Sequence, residues 1–155
     1  MSFKNIVAKQ YQEKVDRAAE AVRLVDMPTE GWICTLRKAL NMSAAELARR
    51  LGKSRALVSN TEKAELVGGV TLKTMMSMAE AMGCRVVYAI VPEERIERTL
   101  AAQAEKKARL LVVKSSQHMA LEAQNLTPKQ MDAEVKRIAQ ELLRDMPSDF
   151  WRDKS

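Results

Sequence analysis

Aromatic residues make up only 4% of this 155-residue chain, which holds five glycines, four prolines, two cysteines and one histidine. Each scarcity excludes something. Cys34 and Cys84 are too few for a disulfide framework or a zinc site, so a reduced, cytoplasmic protein is expected. The single histidine, His118, has no Gly-rich phosphate loop, metal-ligand cluster or nucleophile-base pair to join. Catalysis is therefore not expected, and no cofactor or metal is called for. No cleavable signal peptide is recognisable and no apolar run approaches membrane-spanning length. Few glycines and prolines beside many Ala, Leu, Glu, Lys and Arg favour a mainly α fold over sheet.

What is present is an apolar content of 46%, enough for a real core, and a net charge of +6 that allows an anionic partner. The excess is unevenly placed. Residues 29–66 hold seven Lys/Arg against four Asp/Glu, and residues 115–155 hold six against seven. The stretch from Asn41 to Glu65, NMSAAELARRLGKSRALVSNTEKAE, lies in the basic part. Leu47, Ala48 and Leu51 share one helical face, and Leu57, Val58 and Thr61 repeat the spacing. Gly52, Lys53 and Ser54 stand between them. Glycine enters left-handed backbone space cheaply, and Ser54 can cap the second helix with its hydroxyl. The pattern predicts a helix-turn-helix, the unit that lays its second helix in the DNA major groove. With Val58 and Thr61 inward, Arg55, Ala56, Ser59, Asn60 and Lys63 point outward. Arginine can bond guanine through two contacts, asparagine can do so with adenine, and alanine can meet a thymine methyl.

Residues 43–62, SAAELARRLGKSRALVSNTE, resemble the core of Xre/Cro-type repressors, which are five-helix DNA-binding domains. The resemblance implies base-reading positions at Arg55, Ala56 and Asn60, polar positions near phosphates at Ser43, Ser54 and Ser59, and a structural acid at Glu62. Lys63, Arg50 and Lys53 complete the DNA-binding candidates. Two departures stand out. Ala44 replaces the glutamine that usually opens the first helix of the motif, and Ala64 replaces the usual glycine after the acid. The second implies that the recognition helix runs on toward Leu66 before Gly68-Gly69 ends it. With the flanks MSFKNIVAKQYQEKVDRAAEA, PTEGWICTLRKALNMS, CRVVYAIVPE and SSQHMALEAQ included, nearly the whole chain is similar to the mobile mystery protein A group. That resemblance implies an antitoxin-like repressor whose partner is a Fic-domain protein.

In chain order, residues 1–28 are read as an N-terminal helix, 29–92 as the DNA-binding domain with a terminal strand, and 93–155 as a helical region for a partner or dimer contact. Tyr11, Val15, Ala18, Val22 and Val25 form a heptad-like seam, which packs either on its own domain or across a dimer. Thr29 is the expected cap of a helix carrying Trp32, Ile33, Leu36, Ala39 and Leu40, with Cys34 as a small buried thiol. Thr71 is the expected cap of a helix whose Leu72, Met75, Met76, Ala79 and Met82 supply core before Gly83 stops it. Residues 84–91, CRVVYAIV, read as a short β-strand, with a buried helical segment as the competing reading. A lone strand finds its ladder in a second copy, giving a homodimer with recognition helices roughly 34 Å apart on a palindromic operator.

Pro92, Glu93 and Glu94 are expected to open a long helix with Ile96, Leu100, Leu110 and Leu111 among its apolar positions and a break near Ser115-Ser116. Thr127-Pro128 restarts the chain as a last helix with a Met131, Val135, Ile138, Leu142 stripe, ended by Met146-Pro147. Phe150 and Trp151 beyond it either fold back or dock into a partner. With His118 and Glu122 they are the partner-binding candidates. The inhibitory motif of Fic-binding helices, Ser/Thr, three residues, Glu, then Gly/Asn, finds no match. Thr61 and Glu65 have the spacing but Leu66 follows, and His118 stands four before Glu122. Two functions follow from these readings: a sequence-specific repressor that regulates its own promoter, or a protein-binding antitoxin that neutralises a Fic enzyme through its C-terminal helices, with DNA binding secondary.

Overall fold

The computed structural model describes residues 3–121 and 126–153, with side chains described except at 119–121. The described residues form seven helices: α1 Phe3–Val22, α2 Trp32–Ala39, α3 Ala44–Leu51, α4 Arg55–Glu65, α5 Leu72–Ala81, α6 Ile96–Leu121 and α7 Pro128–Asp145. None is long and apolar enough to cross a membrane. The chain divides into two compact units, Glu20–Ile90 and Met1–Ala19 with Val91–Ser155, so most of the N-terminal helix groups with the C-terminal region.

The first unit is built on α2 to α5. Its core gathers Ile33, Leu47, Ala48, Val58, Met78 and Met82, with Leu36, Met42, Leu51 and Met75 against it. Leu47 and Val58 are wholly buried, each contributing about 1.5–3 kcal/mol relative to an exposed position. On α5 the inward residues are Met78, Ala79 and Met82, whereas Leu72 and Met76 are exposed. Met75, Ala79 and Met82 thus face inward as expected, while Met78 takes the core place expected of Leu72 and Met76. Thr71 caps this helix as expected, accepting from the Thr74 N–H.

Thr29 does not cap α2. Gly31 occupies the cap position at φ +86°, and the Glu65 carboxylate takes two of the free donors at the helix start, Trp32 N–H at 2.5 Å and Ile33 N–H at 2.9 Å. A side chain at Gly31 would need a left-handed backbone and would place its Cβ 2.8 Å from Glu65 Oε2. Residues 84–91 form neither strand nor helix, and no strand occurs among the described residues. A strand needs a ladder, and the described residues offer no second strand to supply it. The domain from 29 to 92 therefore has four helices in place of the expected five and lacks its terminal strand.

In the second unit α6 and α7 form an antiparallel hairpin. The seam on α7 is the expected Met131, Val135, Ile138 and Leu142, but α6 presents Ala104, Ala108 and Val112, while Leu110 and Leu111 are exposed. The α6 stripe steps by four from Ile96 through Leu100, and its two small alanines let the helices approach. Helix α6 begins at Ile96 and not at Pro92, because the Asp16 carboxylate of α1 accepts the Ile96 N–H at 3.0 Å. No break occurs at Ser115-Ser116. Thr127 and Gln130 form a full capping box with Pro128 at the first position of α7, and Met146 ends that helix at φ +42°. On α1, Val15, Ala18 and Val22 are half-buried, Tyr11 is 69% exposed, and Val25 lies beyond the helix and exposed.

Candidate nucleic-acid interface

The two helices of the motif are each started by a serine. Ser43 Oγ accepts from the Glu46 N–H at 3.1 Å while Glu46 accepts from the Ser43 N–H at 2.6 Å, a complete capping box. That backbone N–H holds the Glu46 carboxyl below the usual carboxylate range. Helix α3 ends at Gly52, which is left-handed at φ +67°, and the Lys53 N–H returns to the Ala48 carbonyl at 2.9 Å. Ser54 then caps α4 by accepting from the Leu57 N–H at 3.1 Å. Both serine hydroxyls accept within the protein, so each keeps its own O–H to donate to a phosphate oxygen.

Helix α4 is held from behind by two acids of its last turns. Arg37 on α2 donates to both oxygens of Glu62, at 2.6 and 3.2 Å, and to the Met42 carbonyl at 2.9 Å. The pair is largely shielded from solvent, where a two-pronged guanidinium-carboxylate contact is strongest. Glu65, one turn later, caps α2 as described above. Acids in a helix's last turn oppose its own dipole, so their presence there signals a partner elsewhere. Sequence reading assigned Glu62 its structural part and missed Arg37 and Glu65, whose partners lie 25 and 33 residues away. On α3, Arg50 donates to the Ala81 carbonyl at 2.7 Å, tying α3 to the end of α5.

The outer surface of α4 is free. Arg55, Ala56, Asn60 and Lys63 are exposed, Ser59 is half-buried, and Lys53 and Ser54 stand exposed at its start. The side chains of Arg55, Asn60, Lys53 and Lys63 bond to no other described residue. The inner surface is fully used: Val58 is buried and Thr61 donates to the Leu57 carbonyl at 2.7 Å. Along one flank an open groove of about 590 Å³ runs between Ala56, Asn60 and Thr61 of α4 and Gly69, Val70 and Thr71 of the following turn. As the Ala64 substitution implied, α4 continues to Glu65, and Gly68 at φ +72° turns the chain away.

The partner-binding candidates fare differently. His118 is exposed, Trp151 is 58% exposed, and Phe150 is 1% exposed, so it has folded back into its own unit. Glu122 lies outside the described residues. Cys84 is exposed and Cys34 half-buried, its thiol donating to Glu30 at 3.3 Å; burial first, and that carboxylate second, push the thiol pKa up.

Residues 35–88 match the family model described as Helix-turn-helix. The match supports a DNA-binding regulator of the Xre type and covers α3, the turn and α4 in full. No curated protein and no solved structure matches the chain.

Proposed function

We propose that this protein is a sequence-specific transcriptional repressor that acts by binding, not catalysis, in the cytoplasm, and sits on a palindromic operator as a homodimer. The observation that carries the reading is the two-sidedness of α4. Its back is fixed by Val58, Glu62 and Glu65, and its front offers Arg55, Ala56 and Asn60, whose side chains bond to no other described residue. Donors and acceptors held rigidly but unspent are what base edges in a major groove require. Lys53, Lys63, Ser43 and Ser54 supply the phosphate contacts that set register. A gel-shift titration tests this: the chain's own promoter fragment should be bound at least ~10³-fold more tightly than scrambled DNA of equal length. Equal titration curves would remove the repressor assignment.

The finer part of the proposal is an antitoxin-like role beside a Fic-domain protein, held by the α6–α7 unit. Exposed Leu110, Leu111 and Val113 on α6, with Trp151 in the same unit, are apolar surface of the kind that docks a partner. Co-expression with the Fic-domain product of a neighbouring gene should yield a complex that deletion of residues 93–155 abolishes. A Fic protein that purifies alone would leave only the DNA-binding role.

A further inference from the structure

Residues 84–91 are the most apolar stretch of the chain and the least satisfied. The Cys84 N–H still bonds to the Ala79 carbonyl at 2.8 Å, but from Arg85 to Val91 no backbone N–H or carbonyl meets a partner among the described residues. Val87, Tyr88 and Ile90 are 78%, 64% and 89% exposed, on both sides of an alternating run. Beside them lies an apolar cavity of about 480 Å³ whose other walls include Trp32, Leu36, Leu72 and Met75. Trp32 and Leu72 are themselves nearly half exposed there. An occupant of this surface must bring a row of main-chain donors and acceptors together with apolar side chains, which is the description of an extended β-prone strand.

We infer that residues 84–91 pair with the same residues of a second copy as an antiparallel ribbon whose side chains cover the Trp32–Leu72 cavity. This rests on the operator reading only in explaining why a dimer is needed. The charge order of the sequence argues for self-pairing and for its direction. Arg85 stands at one end of the run and Glu93 with Glu94 just beyond the other. Antiparallel copies bring unlike charges together at both ends, whereas parallel copies stack like on like. A run apolar on both faces fits a strand covered on both, which the described residues of one chain do not provide. The two-fold axis through such a ribbon is the symmetry that a palindrome reads.

Sedimentation velocity of the full chain without DNA, over a wide concentration range, tests this together with Val87→Pro and Ile90→Asp. Proline deletes an N–H that has no bond in the single chain, and aspartate replaces a side chain already in water there, so neither change should alter the monomer's helical circular dichroism. The wild type should be a dimer, and each variant should weaken self-association by ~100-fold or more. A wild type that stays monomeric, or a dimer that survives both substitutions, overturns the proposal, whatever else then fills the cavity. Because the readout contains no DNA, a dimer that ignores its promoter would sink the operator reading and leave this one standing.

Discussion

Replacing Arg55 and Asn60 together by alanine should cost about 2–6 kcal/mol of operator affinity, since each two-pronged contact to a base edge contributes roughly 1–3 kcal/mol and the two address different bases. In a competition gel shift this is a loss of roughly 30-fold to more than 10⁴-fold on the promoter fragment, with little change on scrambled DNA. The separation between specific and nonspecific binding is the informative quantity. Neither side chain bonds to another described residue, so the variant should keep the wild-type thermal midpoint. Lys53, Lys63 and the Ser43 and Ser54 hydroxyls remain, so the salt-dependent part of binding should persist. If the double variant still prefers its promoter as strongly as the wild type, α4 is not the reading helix.

The elements that sequence reading placed well are those whose causes lie within a few residues. Ser54 to Leu57, Thr71 to Thr74 and Thr127 to Gln130 each span one helical turn, and Gly52 supplies its left-handed geometry alone. Those that it misplaced are set from far along the chain. Thr29 is a sound local cap, but the cap of α2 falls two residues later, at Gly31, because Glu65 reaches the helix start from 33 positions away. Pro92 with two acids is a sound helix start, but Asp16, 80 positions earlier, draws the first free N–H of α6 to Ile96. In α6 the leucines drew attention away from Ala104 and Ala108, which carry little hydrophobic weight yet make the helix contact. The strand expected at 84–91 failed for a different reason: β-branched, apolar composition does not make a strand without a second one to supply its ladder, and none occurs among the described residues. At the interface itself, the outward positions of α4 were legible because a helix of known inner face has a determined outer one.

Phe150→Ala should be the most damaging single substitution in the second unit, costing about 3–5 kcal/mol in a urea titration, the range for deleting a fully buried phenylalanine. The ring is not alone in what it secures. Gln103 donates to the Phe150 carbonyl at 2.9 Å, Lys107 bonds to the Asp149 carbonyl and pairs with its carboxylate at 3.1 Å, and Lys106 pairs with Asp153 at 3.1 Å. The segment after α7 is thus clamped onto α6 with the phenylalanine as its buried anchor. Trp151 packs edge-on to that ring, 5.2 Å between centroids, and turns its other side to solvent. Trp151→Ala should therefore cost less than Phe150→Ala, about 0.5–1.5 kcal/mol for the aromatic pair plus the burial of its covered part. The contrast separates structure from recognition. If this unit holds a Fic-domain partner through its exposed apolar surface, the tryptophan variant should lose the partner while keeping nearly all its stability. The phenylalanine variant should lose both, because its effect on the partner passes through the fold. A tryptophan variant that still captures the partner as the wild type does would move that surface away from the C-terminal segment, toward Leu110 and Val113 of α6.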